Sequence, residues 1–387
     1  MLKKIIFFVE TPLTKRDYSR YGLDILKSLG HRIEVWNFGL FLKSTYNNNH
    51  IPENTLKDSF IKQLNSKSNI NNYLSTLNKT DVVLALITVS NKSNFIFNYL
   101  NASNTYYGFS LVNTIPVSIK ALPLNKRFLR FLKNPLLIIN KFYNIYNDNF
   151  SLSIKPNFLI LGGACSLDLA KKRGFLSKDV KLIKTHTRDY DLFLENRSLN
   201  KTSKEDYILF LDEFSPYHPD TLFSGNEVDC TPETYYPDIN MFFNKIENQL
   251  NMKVIIASHP RANYDQIGNP YAGRQIIKDE TVQLVKNSKL ILSHASTAIN
   301  FAILYYKPLI FLTSSQYSNF YQHSINCASQ TLGKKPIDIS KDIEFNFSDF
   351  IKFDKNSYNQ FKDQYIKMSD SVDTNQWKIF SNFINNN

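Results

Sequence analysis

The stretch from Asn251 to Ser315 places the tightest constraint on the fold, because strand-like and helix-like segments alternate along it. Three short runs in it are almost wholly apolar: Val254–Ala257, Leu290–Leu292 and Leu309–Leu312. Such runs are typical of parallel strands that are buried on both faces of a sheet. Each run ends in a polar cluster, and ligands bind at the carboxyl ends of strands in open α/β sheets. The stretch therefore predicts a nucleotide-binding type of half-domain with a polar edge suited to phosphate.

The same alternation extends over the first half of the chain. The strands predicted there are Ile5–Val9, Arg32–Trp36, Asp81–Ile87, Asn157–Leu161 and Lys181–Lys184. A helix is predicted over Tyr18–Leu29, and Tyr46–Lys79, rich in Asn, Ser and Lys, is expected to be irregular or a peripheral helix. Strands that alternate with helices indicate a parallel, doubly wound sheet.

Length and composition predict two domains. The chain has 387 residues and 43% hydrophobic residues, enough for two cores and too many for wholesale disorder. The segment Glu195–Glu205 has Leu199 as its only apolar residue and is a plausible linker. We therefore predict an α/β fold of two facing Rossmann-like domains, residues 1–200 and 201–387, with a cleft between them. Aromatic residues at mostly helical spacing over Asn356–Phe383 predict a C-terminal helix that packs back across the domains.

The formal net charge of +12 favours an anionic partner. Nucleic acid is disfavoured, because the lysines are dispersed and neither an RNA-recognition aromatic motif nor zinc-finger spacing is present. Three cysteines, Cys165, Cys230 and Cys327, are widely separated and odd in number, so no disulfide framework or zinc cluster is indicated. This cysteine usage fits a reducing cytoplasm.

Two apolar segments bear on membrane contact. The N-terminal run Ile5–Val9 is too short for the core of a signal peptide and is expected to be a first strand. No window approaches the roughly 20 apolar residues of a membrane span. The segment Leu122–Tyr146 alternates basic and apolar residues, a pattern that can lie on an anionic membrane surface. An ordinary helix pair with solvated lysines explains it equally well.

A basic cluster follows the strand Val254–Ala257. His259 and Pro260 come directly after this strand, and Arg261 adds a permanent cation. Proline keeps the chain extended there, so the imidazole can project over the strand edge. A histidine and an arginine at this place suit a phosphate oxygen or a sugar carboxylate. The alternative is a turn histidine bonded to a neighbouring carbonyl group.

A hydroxyl-rich cluster follows the strand Leu290–Leu292. It comprises Ser293, His294, Ser296 and Thr297 and precedes a helix-like segment. Hydroxyl groups and free backbone N–H groups at the start of a helix can bind an anion without a metal. Plain helix capping explains one of these hydroxyls, so the cluster favours phosphate binding.

Acidic residues supply the candidates for a general base. Asp212 and Glu213 end the apolar run Tyr207–Leu211, and Glu10 ends the first strand of the other domain. A carboxylate at a strand edge can accept a proton from a reacting hydroxyl group. A helix cap or a salt bridge within the loop is the structural alternative for the acidic pair.

A further acidic pair, Asp189 and Asp191, forms the pattern Asp-Tyr-Asp, which in some sugar-nucleotide enzymes binds a divalent metal. It does not end a clear buried strand, so we expect it to start a helix or to contact an acceptor. Gly162-Gly163 is too short for a dinucleotide fingerprint, and neither a Walker lysine motif nor a nucleophile elbow is present.

Three of these clusters resemble motifs of the GT-B superfamily of glycosyltransferases: His259-Pro260, Ser293–Thr297 and Asp212-Glu213. The similarity is to bacterial surface-polysaccharide transferases that use CMP-activated acidic sugars of the sialic, pseudaminic or Kdo type. In such families the first two motifs bind the nucleotide phosphate, and an Asp/Glu-Asp/Glu-Gly motif supplies the base. Phe214 stands here at the position of that glycine. Tyr306-Lys307-Pro308 is similar to the Gly-Lys-Pro that precedes a strand in many GT-B nucleotide domains, with tyrosine in place of glycine.

The resemblance implies a metal-independent, sialyltransferase-like enzyme of capsule, lipopolysaccharide or other surface-polysaccharide synthesis. Residues 1–200 would bind a glycan or lipid-linked glycan acceptor, and residues 201–387 a nucleotide sugar such as a CMP-activated nonulosonic acid or Kdo. It implies no cofactor and a cytoplasmic location, with peripheral attachment to the inner face of the plasma membrane if the basic segment docks there. The alternatives on this architecture are a sugar-nucleotide epimerase or hydrolase and a CDP-polyol phosphotransferase.

Overall fold

A computed structural model describes residues 2–42, 54–112, 116, 154–198, 206–218, 229–341 and 351–386. Two separate parallel sheets organise these residues, with seven strands in the first and six in the second. The predicted α/β architecture of two Rossmann-like units is therefore confirmed. The basic segment Leu122–Tyr146 lies outside the described residues, as does most of the predicted linker.

The first sheet has the strand order β3-β2-β1-β4-β5-β6-β7, and every neighbouring pair is parallel. Its strands are β1 (Lys4–Val9), β2 (Arg32–Asn37), β3 (Ile61–Gln63), β4 (Val82–Ala85), β5 (Tyr106–Leu111), β6 (Phe158–Leu161) and β7 (Lys181–Lys184). The helices around it are α1 (Lys15–Arg20), α2 (Leu23–Ser28), α3 (Gly39–Leu42), α4 (Lys67–Leu74), α5 (Asn94–Ala102) and α6 (Cys165–Lys172).

The second sheet has the order β10-β9-β8-β11-β12-β13, again with parallel neighbours throughout. Its strands are β8 (Ile208–Leu211), β9 (Val254–Ser258), β10 (Ile276–Lys278), β11 (Leu290–Ser293), β12 (Leu309–Thr313) and β13 (Ile337–Asp338). The helices in this part of the chain are α7 (Arg188–Asn196), α8 (Pro232–Leu250), α9 (Tyr264–Ile267), α10 (Thr281–Asn287), α11 (Ile299–Leu304), α12 (Asn319–Gln330), α13 (Lys355–Phe361) and α14 (Gln376–Asn385). A 3₁₀ turn covers Ser215–Tyr217, and a π-helical turn, Lys362–Ile366, extends α13.

The apolar runs became fully buried strands because both faces of each sheet are covered. In β1, Ile5 and Phe7 face one hydrophobic cluster, whereas Ile6 and Phe8 face another. Strand β8 is buried at every position. This burial explains why the sequence shows continuous apolar runs in place of alternation.

The helix predicted over Tyr18–Leu29 is two helices. Gly22 separates α1 from α2 with a φ of +57°, a left-handed conformation that glycine adopts readily. A Cβ atom at this position would lie 2.1 Å from the Trp377 ring, so the indole can pack only against a glycine. The break in the helix therefore lies where the far end of the chain packs against it.

The chain crosses between the two units twice, at one place. The residues His186 and Lys367 form an isolated antiparallel bridge, and the N–H group of Thr187 donates to the carbonyl oxygen of Ile366 at 2.8 Å. After the first crossing, helix α7 packs against α10 and α11 of the second unit. After the second crossing, α14 returns to the first sheet, where Trp377, Phe380 and Ile384 join the same hydrophobic cluster as Phe7. The predicted helix that packs back is thus part of the core of the first unit.

Candidate active site

Both sheets change winding direction between their first and fourth strands, at β1/β4 and at β8/β11. In the second sheet, β9 and β10 lie on one side of β8, and β11 to β13 lie on the other. Such a switch point opens a crevice at the carboxyl edge of the sheet, where ligands bind in open α/β folds. The residues predicted from the second half of the sequence follow β8, β9 and β11, so the fold brings all three clusters to one edge.

Asp212 is buried at this edge, and four donors surround its carboxylate. The Phe214 N–H and the Tyr271 hydroxyl donate to Oδ1 at 2.8 and 2.9 Å. The Tyr264 hydroxyl and the His259 N–H donate to Oδ2 at 2.8 and 3.4 Å. Burial raises the pKa of Asp212, whereas these hydrogen bonds lower it. A carboxylate with two donors on each oxygen holds the neighbouring loops in place and has little capacity left for a substrate proton.

Glu213 bridges two elements of the second unit. Its Oε1 accepts from the Ala295 N–H at 2.6 Å, and its Oε2 accepts from the Tyr321 hydroxyl at 3.0 Å. Burial raises the pKa of Glu213 to about 7, with the two hydrogen bonds acting in the opposite direction. The side chain therefore titrates in the range where a general base works, and it also anchors the loop after β11.

Phe214 has a backbone conformation that glycine adopts readily. Its φ and ψ are +56° and +37°, in the left-handed region. The ring is buried and packs against Tyr217 and Tyr264, with centroids 5.4 and 5.2 Å away. Tyr306, which stands at the second glycine position of the resemblance, also has a positive φ of +53°. Both positions therefore have a backbone conformation that favours glycine.

The residue His259 lies at the carboxyl edge of β9 and is half-buried. Its Nδ1 accepts a hydrogen bond from the N–H of Arg261 at 3.2 Å. In the neutral ring the proton must then be on Nε2, which makes this atom a donor. The loop thus has an imidazole donor beside the exposed Arg261 side chain, with Pro260 between them.

His294 is placed in the core and not at the edge where we expected it to bind substrate. The side chain is fully buried, with Nδ1 2.8 Å from the Leu312 carbonyl oxygen and Nε2 3.1 Å from the Tyr235 hydroxyl. Burial lowers the pKa of His294 to about 4, so the ring is neutral at physiological pH. Both ring nitrogens are used within the protein, and the side chain fixes the end of β11 against its neighbours.

The hydroxyl cluster also contains both buried residues and residues at the edge of the sheet. Ser293 is fully buried, and its Oγ has no hydrogen-bond partner among the residues described. Ser296 is half-buried and Thr297 is exposed, so these two hydroxyls lie at the edge. The helix that follows, α11, has only six residues, so its dipole adds less to anion binding than the sequence suggested.

Glu10 lies at the equivalent edge of the first sheet. Its carboxylate accepts from the backbone N–H of Thr88, and Oε2 lies 3.2 Å from the Thr88 hydroxyl. Since Glu10 follows β1 and Thr88 follows β4, this contact spans the switch point of the first sheet.

The Asp-Tyr-Asp pattern starts α7, as expected, and its two carboxylates bond to different partners. Asp189 Oδ2 accepts from Asn300 Nδ2 at 2.8 Å. Asp191 is buried and contacts His186 Nε2 at 2.8 Å and the Gln376 N–H at 3.0 Å. Within the described ranges, no group of three or more His, Cys, Asp or Glu residues is arranged to hold a metal ion.

One electrostatic contact links residues that follow strands of the two different sheets. Asn300, in the second unit, bonds to Asp189 next to the chain crossing. Arg16 on α1 is within electrostatic range of Arg261, Arg20 and Asp189. Burial, Arg20 and Arg261 together lower the pKa of Arg16. Cations from both units, Arg16 and Arg261, are therefore near each other, with Asp189 as a counter-charge.

Sequence reasoning missed the tyrosines that organise this site. The hydroxyls of Tyr264, Tyr271 and Tyr321 bond to the acidic pair, and the Tyr235 hydroxyl bonds to His294. The overall aromatic content of 14% gave no sign of their convergence, because they come from separate helices and loops.

Within the described residues no helix has both the length and the apolar character that a bilayer crossing requires.

No protein-family model matches this sequence. A search of curated proteins finds no match either. Among solved structures, one similar chain is UDP-GlcNAc 2-epimerase from Neisseria meningitidis bound to UDP-GlcNAc, at 13% identity and a TM-score of 0.49, with 99% of this chain and 100% of that chain covered. A second is a variant of the wall teichoic acid polymerase TagF, at 12% identity and a TM-score of 0.48, with 99% and 88% covered.

A third similar structure is MurG from Acinetobacter baumannii, at 9% identity and a TM-score of 0.43, with 87% of this chain and 86% of that chain covered. Likeness at this level of identity carries no information on reaction or substrate. Any functional assignment must therefore come from the site itself.

Proposed function

We propose that this chain is a GT-B type glycosyltransferase that transfers a sugar from a nucleotide donor to a glycan acceptor in bacterial surface-polysaccharide synthesis. One observation carries the proposal: His259 and Arg261 follow β9, and Ser296 and Thr297 follow β11, so all four lie at the carboxyl edge of the second sheet, on the two sides of β8. This is where a doubly wound sheet binds a nucleotide.

The donor phosphate would be held by hydrogen bonds and fixed charge. The Nε2–H of His259 and the guanidinium of Arg261 would donate to phosphate oxygens, with the hydroxyls of Ser296 and Thr297 as further donors. Hydrogen bonds between charged groups are stronger than neutral ones, and they strengthen as the leaving phosphate gains negative charge. The cluster would thus stabilise the departing nucleotide.

The reaction then needs one proton acceptor. An acceptor hydroxyl oxygen forms a bond to the anomeric carbon, the bond from that carbon to the phosphate oxygen breaks, and the nucleotide leaves with the electron pair. We assign removal of the hydroxyl proton to Glu10, because it lies at the carboxyl edge of the first sheet, on the acceptor side of the proposed site. Asp212, with four donors, and Glu213, which anchors the Ala295 loop, would position the donor site.

Exchange of single carboxylates tests this assignment. Glu10→Gln should lower kcat about 100-fold or more with little change in KM for the donor, as expected for loss of a general base. Glu213→Gln should retain most of kcat. A larger loss of kcat in Glu213→Gln than in Glu10→Gln would assign the role of general base to Glu213. A large loss of kcat only in Asp212→Asn would assign it to Asp212.

The donor class that we propose is a CMP-activated nonulosonic acid or Kdo. Thermal unfolding in the presence of CMP, UDP, GDP or CDP measures this, because a ligand that binds only the native state raises its stability. CMP should give the largest rise in Tm. Product analysis with and without a glycan acceptor then separates transfer from epimerisation or hydrolysis, and phosphate in the product linkage would indicate a CDP-polyol phosphotransferase.

We also propose that the transfer needs no metal. Two carboxylates could hold the donor phosphate only through a cation, whereas the His259 and Arg261 cluster is already positive. Turnover should therefore survive EDTA. Loss of turnover that manganese restores would move phosphate binding to Asp189 and Asp191. Cytoplasmic location, with attachment of Leu122–Tyr146 to anionic membrane, stays a proposal that vesicle binding tests.

A further inference from the structure

The first unit contains a cavity of about 600 Å³ at the carboxyl edge of its sheet. Its floor is formed by the ends of β4 and β5 and the residues that follow them, including Thr88 and Phe109. Binding pockets for small molecules typically have volumes of ~300–1,000 Å³. The cavity is thus large enough for one or two sugar rings, and none of the donor-site residues lines it.

Three arginines from separate elements line this cavity: Arg20 at the end of α1, Arg173 just after α6, and Arg188 at the start of α7. Within the described residues, neither Arg20 nor Arg173 forms an ion pair through its side chain. Arg188 lies 3.8 Å from Asp191 and 3.6 Å from Glu195, and its buried Nη1 has no hydrogen-bond partner among the residues described. Positive charge thus exceeds negative charge on the lining.

The lining also includes aromatic side chains that are held in place. The Trp377 indole lines the cavity, its Nε1–H donates to the Arg20 carbonyl oxygen at 3.2 Å, and Gly22 leaves room for the ring. Phe109 and Phe175 stack with their ring centroids 4.4 Å apart. A ligand in this cavity therefore meets both guanidinium groups and apolar ring faces.

We propose that this cavity binds the acceptor through an anionic group, a carboxylate or a phosphate, which the three guanidinium groups hold. The planar guanidinium matches both groups, because two parallel N–H donors face two oxygens. Thr88 connects the cavity to the chemistry, since it lines the cavity and bonds to the Glu10 carboxylate. An acceptor anchored by its acid group would present a hydroxyl to Glu10. The word acceptor rests on the proposed function, whereas anion binding does not.

Fluorescence of the Trp377 indole can measure ligand binding in the cavity directly. The chain has two tryptophans, and Trp36 is fully buried in a different cluster from Trp377. In a Trp36→Phe background the fluorescence therefore reports the cavity. The probes are phenyl phosphate, benzoate and neutral benzamide, and thermal shift of the unmodified protein with the same probes is the second measurement.

Phenyl phosphate or benzoate should change the fluorescence and raise Tm, whereas benzamide should do neither. Arg20→Gln combined with Arg173→Gln should weaken anion binding about tenfold or more, since each removes a charge-assisted hydrogen bond. The matched control is Arg32→Gln, at the amino edge of the same sheet, where the guanidinium side chain is 77% exposed.

Each outcome decides a separate point. Preference for phenyl phosphate indicates a phosphate-bearing acceptor, and preference for benzoate an acidic sugar. Equal binding of benzamide, no binding of either anion, or unchanged affinity in the double variant would overturn the proposal. CMP binding in the same variants tests the donor site separately, so loss of anion binding with intact CMP binding supports the cavity whatever the reaction proves to be.

Discussion

The carboxyl edges of the two sheets share one topology but hold their charged side chains in opposite ways. At the edge of the second sheet, the acidic pair is bonded to tyrosine hydroxyls and backbone N–H groups of its own unit. At the edge of the first sheet, arginines line an open cavity, and two of them form no ion pair in the described part of the chain. Location at the carboxyl edge of a sheet therefore does not reveal whether a charged side chain bonds within its own unit or lines a cavity.

Two histidines show what decides whether a side chain that follows a strand can contact a ligand. His259 and His294 both follow apolar strands of the second sheet, but the first is half-buried at the edge and the second is enclosed by aromatic rings and neutral. The difference comes from helices α8 and α12, whose tyrosines cover the end of β11. Packing from distant segments selects which histidine can meet a ligand.

The largest expected effect is on turnover. His259→Ala should lower kcat about 100-fold, because it removes a donor to the leaving phosphate and not a core side chain. Assay of nucleotide-sugar transfer, with unfolding curves to establish an intact fold, measures it. His323→Ala, on an exposed position of α12, is the control and should leave kcat unchanged. Normal turnover in a folded His259→Ala variant would remove the edge of the second sheet from the chemistry.

The buried acid should matter more for stability than for chemistry. Asp212→Ala leaves two tyrosine hydroxyls and two N–H groups without their acceptor, which should lower the free energy of unfolding by about 2–3 kcal/mol. Asp212→Asn retains the shape and most hydrogen bonds, so it should fold well and keep most activity. Urea unfolding and kcat of both variants are the measurements. A stable but inactive Asn variant would show that Asp212 is the base.

Much of the fold was predictable, because continuous apolar runs identify central strands that are buried on both faces. The strands missed were short edge strands such as β3 and β10, which bury little, and β5, whose run contains Gly108. That glycine is required because a Cβ atom there would lie 2.3 Å from the Phe158 carbonyl oxygen. The clustering of the polar motif residues at the carboxyl ends of the strands was also predictable.

The cavity was not predictable, since Arg20, Arg173 and Arg188 are separated by long stretches of sequence and converge only in the folded chain. The tyrosine network around the acidic pair was not predictable for the same reason. In both cases the side chains come from helices and loops whose packing no local pattern specifies. Motif residues at strand ends can be located from sequence, whereas their partners cannot.

The pH dependence of stability should reveal how the acidic pair is held. The pKa of Glu213 is raised to about 7 from its usual 4.5, so the folded state retains a proton that the unfolded chain releases. The contribution of protonated Glu213 to the free energy of unfolding is therefore complete below about pH 4.5, and it is lost as the pH rises through about 7. Wild type should lose stability between pH 5 and pH 8, and Glu213→Gln should lose less.

Urea unfolding at both pH values measures this difference. Glu233→Gln, at an exposed position of α8, is the matched control and should follow wild type. Identical slopes for wild type and Glu213→Gln would mean that Glu213 is solvated like an ordinary surface acid, and the contrast between the two edges would then weaken.

The smallest expected effect concerns the two turns where a bulky residue, Tyr306 or Phe214, has a left-handed backbone conformation. Tyr306 has a φ of +53° and is 37% exposed, so its side chain can be removed without emptying a core. Tyr306→Ala and Tyr306→Gly lose the same ring and the same hydrogen bond to Asn359. Only alanine keeps the left-handed strain, so the glycine variant should be more stable than the alanine variant by about 1 kcal/mol. The same pair at Phe214, buried beneath the edge of the second sheet, should show a similar difference between Gly and Ala on top of a larger loss common to both. Chemical denaturation of the four variants measures both differences, and alanine variants as stable as their glycine partners would show that neither turn depends on the glycine conformation.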